Sequence, residues 1–233
     1  MFRFKKLRLT YSQMIALGYL TIILAGGLLL SLPFASRNGN GTPFINSVFT
    51  ATSATCVTGL VIYDTFNYWS VFGQIVILTL IQIGGLGFMT IVALFFMFLK
   101  RKIGLKERRL LMEAANTLKI GGVVLLIKKV LIGTFIIESI GTIILATKFI
   151  PQMGFGEGLY NALFHSVSAF CNAGFDLMGK YGNFSSLTSY SDDITVNLTI
   201  MALIVIGGIG FIVWDDIMNH GLNFRKYQLH SKT

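Results

Sequence analysis

Two five-residue runs stand out for what their backbones could do: Thr55-Cys56-Val57-Thr58-Gly59 and Phe170-Cys171-Asn172-Ala173-Gly174. Each carries no charged residue and ends in glycine. A cation that sheds its water needs oxygen ligands in return, and backbone carbonyls supply them without a full negative charge. Turning successive carbonyls the same way takes unusual dihedrals, and glycine reaches positive φ cheaply. With no acid inside either run, a carboxylate ring selecting divalent ions is disfavoured. Asp64 and Asp176 lie just beyond, where they could raise the cation concentration at a pore mouth. A plainer reading also fits: each glycine could simply cap the end of a preceding helix. Enzymatic chemistry finds no comparable support, since no HExxH, nucleophile elbow or acid/base cluster occurs. Cys56 and Cys171 have neither metal-ligand spacing nor a disulfide framework. They read as small buried thiols at matched positions, with a bridge between them the lesser alternative.

The elements that hold these runs are visible when the chain is aligned with itself. Residues 46–60, NSVFTATSATCVTGL, match residues 161–175, NALFHSVSAFCNAGF. At one constant offset Asn46 pairs with Asn161, Phe49 with Phe164, Ser53-Ala54 with Ser168-Ala169, Cys56 with Cys171 and Gly59 with Gly174. Farther on, Ile83-Gly84-Gly85-Leu86-Gly87-Phe88 matches Ile206-Gly207-Gly208-Ile209-Gly210-Phe211. The second copy is longer between its two motifs, and the extra residues fall in the polar stretch 176–193, which reads as an external loop.

Around these motifs the chain is strongly apolar, with a mean hydropathy of +0.71 and only 12% charged residues. Residues 14–32, 71–99, 130–146 and 194–214 are apolar runs near the roughly 20 residues a bilayer crossing requires. The third is extended by apolar residues beyond Lys128, Lys129 and Lys148, whose side chains can snorkel to the interface. The net charge of +9 is unevenly spread. Most of the 19 basic residues precede the first run, lie between the second and third, or follow the fourth. That asymmetry is topological: it predicts four crossings with both termini cytoplasmic, and it argues against nucleic-acid binding. The competing signal-peptide reading of the first run is weaker, because the run is long and no small-x-small cleavage site follows.

Segments 42–55 and 157–170 are too short to span and too apolar for ordinary loops. A half-helix that enters the membrane and an extended strand that returns would fit both. Pro43 suits the first turn of such a helix. The glycines of the second motif sit inside apolar runs and do not fit GxGxxG, so close helix packing explains them better than phosphate binding. Glu138 is the one carboxylate deep in a predicted span, with no partner evident in the sequence; a buried structural hydrogen bond and a role in ion movement stay open. His165 reads as a packing or hydrogen-bonding residue, and Trp214 with Asp215 and Asp216 as an interfacial anchor.

Taken together, the Thr-Cys-Val-Thr-Gly59 run, the Gly174 run and the Ile-Gly-Gly-Leu-Gly-Phe motif resemble the Trk/Ktr/HKT superfamily of potassium transporters, most nearly the bacterial KtrB-type subunit. The linker 102–108 and the tail from Asn223 resemble it as well. The resemblance implies an all-α membrane protein of two tandem helix–pore-loop–helix (M1-P-M2) repeats, half of a pseudo-fourfold pore. It places the repeats at 1–100 and 122–220, a basic cytoplasmic linker at 101–121, and at 221–233 a segment leading toward a third repeat. It implies a selectivity filter of Thr55, Cys56, Val57, Thr58, Gly59, Cys171, Asn172, Ala173 and Gly174, holding potassium at backbone carbonyls. Glycine at position 59 is the potassium-preferring pattern. Potassium is then the transported ion, sodium a candidate activator, and no covalent cofactor is expected.

The family carries four repeats, so this chain reads either as the N-terminal half of a longer protein or as one of two that pair. Expected partners are the missing repeats or a second copy, a homodimer of the full subunit, membrane lipids, and a cytoplasmic nucleotide-binding ring of the KtrA/TrkA type. The competing class is a non-conducting membrane scaffold, or a repeat-built transporter of another solute whose glycine-broken helices bind it. The two classes differ in whether the Gly59 and Gly174 strands converge.

Overall fold

In the computed structural model the described residues are 10–87 and 123–210, with Val213, Trp214, Asp216 and Gly221. The basic linker 101–121 and nearly all of the tail lie outside them. Secondary structure among the described residues is helical throughout, apart from one isolated bridge between Ser36 and Trp69.

The first unit begins with α1 (Tyr11–Ser31), opened by a reciprocal cap in which Thr10 and Gln13 each bond the other's backbone N–H. A turn at Pro33–Ala35 leads to α2 (Phe44–Thr55), a short α3 (Thr65–Tyr68) and α4 (Val71–Leu86). The second unit holds α5 (Val123–Met153), α6 (Phe155–Phe170), single turns at Met178–Lys180 and Ser186–Tyr190, and α7 (Ile194–Gly208). Within each unit the three long helices pack on one another, α1 with α2 and α4, α5 with α6 and α7, and α4 joins the units by packing on α6.

Length separates the helices into two kinds. Residues Ser12–Ser31 and Ile127–Met153 are long and apolar enough to cross a membrane. The 12 residues of α2 rise only about 18 Å, too short for a bilayer core. Helices α4 and α7 are apolar and cover the described first part of the runs 71–99 and 194–214. In the Ile-Gly-Gly-x-Gly motif α4 ends at Leu86 and α7 one position earlier, at Gly208, and both chains leave helical geometry at the matched glycine, Gly87 with φ +80° and Gly210 with φ +93°. Residues 88–100 lie outside the described ones.

Apolar side chains face outward on a scale unusual for a water-soluble surface: Phe135 is 74% exposed, Ile194 74% and Ile45 77%. The interior core runs through both units, from Leu30, Trp69, Ile77 and Ile81 to Phe164 and Phe170. A smaller cluster of Leu145, Phe149, Met178, Tyr190 and Val196 packs within the second unit. Trp69 is the corner of the first. Gly73 lets α4 press against Trp69 and the Ala35 carbonyl, while the buried Gln74 amide donates to Trp69 O at 3.0 Å.

Candidate functional site

Helices α2 and α6 end in the same way, bond for bond. The Cys56 N–H donates to Thr52 O (2.8 Å), Val57 N–H to Ala54 O (3.3 Å) and Thr58 N–H to Ser53 O (2.9 Å). One repeat later Cys171 N–H donates to Val167 O (2.9 Å), Asn172 N–H to Ala169 O (3.0 Å) and Ala173 N–H to Ser168 O (2.8 Å). This is a Schellman closure, whose left-handed residue is ordinarily glycine. Here that residue is Val57 (φ +52°) in one copy and Asn172 (φ +59°) in the other. Gly59 and Gly174 are therefore not the caps. They lie two residues farther out, each with φ +73°. The sequence reading had no reason to expect a β-branched residue in the capping position.

Beyond the caps the two runs meet. A β-carbon placed on Gly59 would lie 2.7 Å from Ala173 O and 3.4 Å from Gly174 Cα, and one on Gly174 would lie 3.5 Å from Gly59 Cα. Glycine at both places lets the backbones approach directly. The C-terminal ends of two helices thus converge on one point, and each contributes partial negative charge there.

The second glycine motif explains how the helix ends are seated. A β-carbon on Gly84 would collide with the Thr55 carbonyl, and one on Gly207 with the Phe170 carbonyl, the matched residue. Packing is the observed role of these two. Gly85 receives the Cys171 side chain across the seam between units, whereas its counterpart Gly208 has only Asn172 Nδ2 nearby, at 3.7 Å. Gly87 and Gly210 break their helices instead of packing them. A further matched pair escaped the sequence reading: Gly26 faces Leu80 and Ala51, and Gly141 faces Leu203 and Ser166. The signal was present, since Gly26 and Gly141 keep the offset that relates Gly59 to Gly174.

Other singled-out residues fall as follows. Cys171 is buried but Cys56 is exposed, and both are free thiols. Asp64 is only 8% exposed. It caps α3 through the Asn67 N–H (2.8 Å) and accepts from the Phe184 N–H of the second unit (2.8 Å). Asn67 Nδ2 adds bonds to Gly179 O (2.8 Å) and Asn183 Oδ1 (2.6 Å), so the segments joining α2 to α4 and α6 to α7 are stitched together. Asp176 is half-buried and accepts from Met178 N–H at 2.9 Å. His165 is a satisfied core residue: Nδ1 lies 2.8 Å from Asn161 O, and Nε2 lies 3.4 Å from the Leu177 N–H.

Glu138 has the partner that the sequence hid. Gln82 Nε2 on α4 lies 3.0 and 3.2 Å from its two carboxylate oxygens. Trp214 corrects an expectation, for it is not an interfacial anchor. It is 9% exposed, stacks edge-on with Phe170 at 5.7 Å, lies over Gly133 and donates to Ile206 O.

Beside the second run opens a cavity of about 200 Å³ lined by His165, Ser168, Asn172, Gly174, Asp176 and Ile200. Among the described residues no three His, Cys, Asp or Glu side chains gather into a metal site.

Over residues 12–231 the sequence matches the TrkH family of cation transport proteins. It is 46% identical to the potassium/sodium uptake protein NtpJ of Enterococcus hirae, across 97% of this chain and 49% of that protein. Identity to the Ktr system potassium uptake protein B is 46% for Bacillus subtilis, across 98% of this chain and 49% of that protein. For the Vibrio alginolyticus protein of the same name it is 35%, across 94% and 47%. The chain spans about half the length of the curated relatives it matches. Matched helix ends, converging glycines and this unbroken similarity agree: the chain belongs to the TrkH family of cation transport proteins, in its Ktr-type branch.

Proposed function

We propose that this chain contributes two segments, 55–59 and 171–174, to the selectivity filter of a potassium-uptake pore in the plasma membrane. In this reading α1, α2 and α4 are the first helix–pore-loop–helix repeat, and α5, α6 and α7 the second. Helices α2 and α6 are pore helices that enter only partway. The observation that carries the proposal is the meeting of Gly59 and Gly174 after two identical Schellman closures. An arrangement of backbone carbonyls at such a point replaces the water of a monovalent cation. Asp176, and Asp64 from its buried position, add negative potential near the outer end.

Two further segments complete the ring, supplied by the remaining length that the relatives possess or by a second copy. The subunit pairs with itself and sits on a cytoplasmic nucleotide-binding ring, reached by the basic linker. Both termini are cytoplasmic. The deciding experiment is rubidium uptake into potassium-depleted cells expressing the complete protein. Saturable uptake that potassium displaces better than sodium is expected. Accumulation of an unrelated solute, with no potassium-displaced flux, would overturn the proposal. Labelling a cysteine placed at position 104 from the outside only would overturn the orientation.

A further inference from the structure

Four residues of the two units meet at one place beneath the converging runs. Gln82, half-buried on α4, donates through Nε2 to both carboxylate oxygens of Glu138 on α5, which is 7% exposed. The other end of the same amide, Gln82 Oε1, lies 4.0 Å from the Cys171 thiol, a weak donor. One helical turn along α4, Gly85 leaves the space in which Cys171 sits. Cys171 is the residue at which α6 ends and the second run begins. The Glu138 backbone carbonyl also accepts from Ser166 Oγ of α6 at 2.7 Å. Glu138 is therefore fastened to α6 by its backbone and to α4 by its side chain.

The repeat shows that this is no general feature of the fold. At the matched positions stand Ile23 in place of Glu138 and Val205 in place of Gln82. A buried carboxyl group is costly unless it is hydrogen-bonded, and two apolar residues would pack here without that cost. What the polar pair adds is direction: it fixes the rotation of α4 relative to α5, and with it the position of the amide oxygen facing Cys171.

We propose that Gln82 and Glu138 are a positioning pair that seats the second filter segment through Cys171, so that ion preference depends on a seam contact outside the filter. This rests on the filter reading above. The hydrogen bond, not the charge, is the working element: Glu138→Gln keeps an acceptor for the Gln82 amide, whereas Glu138→Leu and Gln82→Leu do not.

The test uses the complete protein, with rubidium uptake measured against potassium and sodium competitors and divided by the amount of protein in the membrane. Gln82→Leu and Glu138→Leu should each reduce potassium preference over sodium by up to about tenfold, the worth of one such bond. The double variant should lose no more than either single one, and Glu138→Gln should stay near the parent. In protein carrying Cys56→Ser, Cys171 should react faster with a small thiol reagent once Gln82→Leu is present, a readout independent of transport. The proposal is overturned if Glu138→Gln loses as much as Glu138→Leu, since charge would then be the working element. It is also overturned if the leucine variants lower only protein amount and leave both preference and Cys171 reactivity unchanged. Gly59→Ser, run in parallel, separates the two levels. If it shifts preference while the seam variants do not, only the positioning role falls; if it shifts nothing, the filter reading falls and the positioning role with it.

Discussion

Replacing Gly59 by serine puts two distinct loads on the same residue. The first is conformational: at φ +73° any residue with a β-carbon is disfavoured, at about 1–2 kcal/mol. The second is steric, because the new β-carbon would lie 2.7 Å from Ala173 O, so one backbone must move away from the other. A widening between the two runs relieves the steric load, and a change of φ at position 59 relieves the conformational one; either displaces the carbonyls of the run. Potassium selectivity is sensitive on this scale, since a tenfold change corresponds to only about 1.4 kcal/mol of differential binding. Serine also brings a hydroxyl that can occupy a ligand position. In the complete protein Gly59→Ser should therefore lower potassium preference over sodium by tenfold or more while the amount of protein in the membrane stays close to the parent. Gly84→Ser is the matched control. Its β-carbon meets the Thr55 carbonyl inside the packed bundle, an overpacking that costs about 1–3 kcal/mol and should appear as lost protein. Competition uptake in potassium-starved cells, with quantitative blotting, reads both quantities. Wild-type preference in Gly59→Ser together with altered preference in Gly84→Ser would refute the division into filter and packing glycines.

Three other outcomes can be checked on purified protein. Val57→Asn copies the residue at the matched cap and relieves a β-branched side chain at positive φ; it should raise thermal stability by about 1 kcal/mol, and a lower melting temperature would count against the cap assignment. Trp214→Ala should cost about 3–5 kcal/mol through the cavity left against Gly133 and Phe170, whereas a neutral result would return Trp214 to the surface. Asp193 caps α7 and is held below the usual carboxylate range, chiefly by its hydrogen bond to Lys148 and then by the Val196 and Thr195 N–H groups. Its contribution is complete above the unfolded pKa and is lost as pH falls through the lower folded value. Below about pH 4 the parent should thus lose more stability with falling pH than Asp193→Asn, with parallel behaviour above it.

How much of this was written in the sequence depends on whether the signal was periodic or spatial. Repetition exposed the two runs, because Cys56 and Cys171 or Gly59 and Gly174 keep one offset regardless of where the chain goes. The same rule marks Gly26 and Gly141, which keep that offset too. Hydropathy gave no sign of the interruption at Gly87 or Gly210, which only a dihedral marks. Gln82 and Glu138 could not have been paired from sequence: they lie on different units and neither has a polar counterpart in the repeat. Trp214 was misjudged for a related reason, because a tryptophan beside two aspartates has the composition of an interface. What buries it is the space over Gly133, a residue that no motif singles out.

The stitched loops bear on the order in which the molecule can be made. Asp64 and Asn67 belong to the part of the chain synthesised first, yet their bonds to Gly179, Asn183 and Phe184 await residues synthesised more than a hundred positions later. Until then the Asp64 carboxylate has only its own helical cap, and the first unit must hold that loop open to water. Those later residues must also have been carried to the same face of the membrane before the bonds can form. Closure of this junction is therefore a report that the second unit has been inserted the right way round. An inverted second unit would leave Asp64 with its cap bond alone and the Asn67 side-chain amide without its two acceptors.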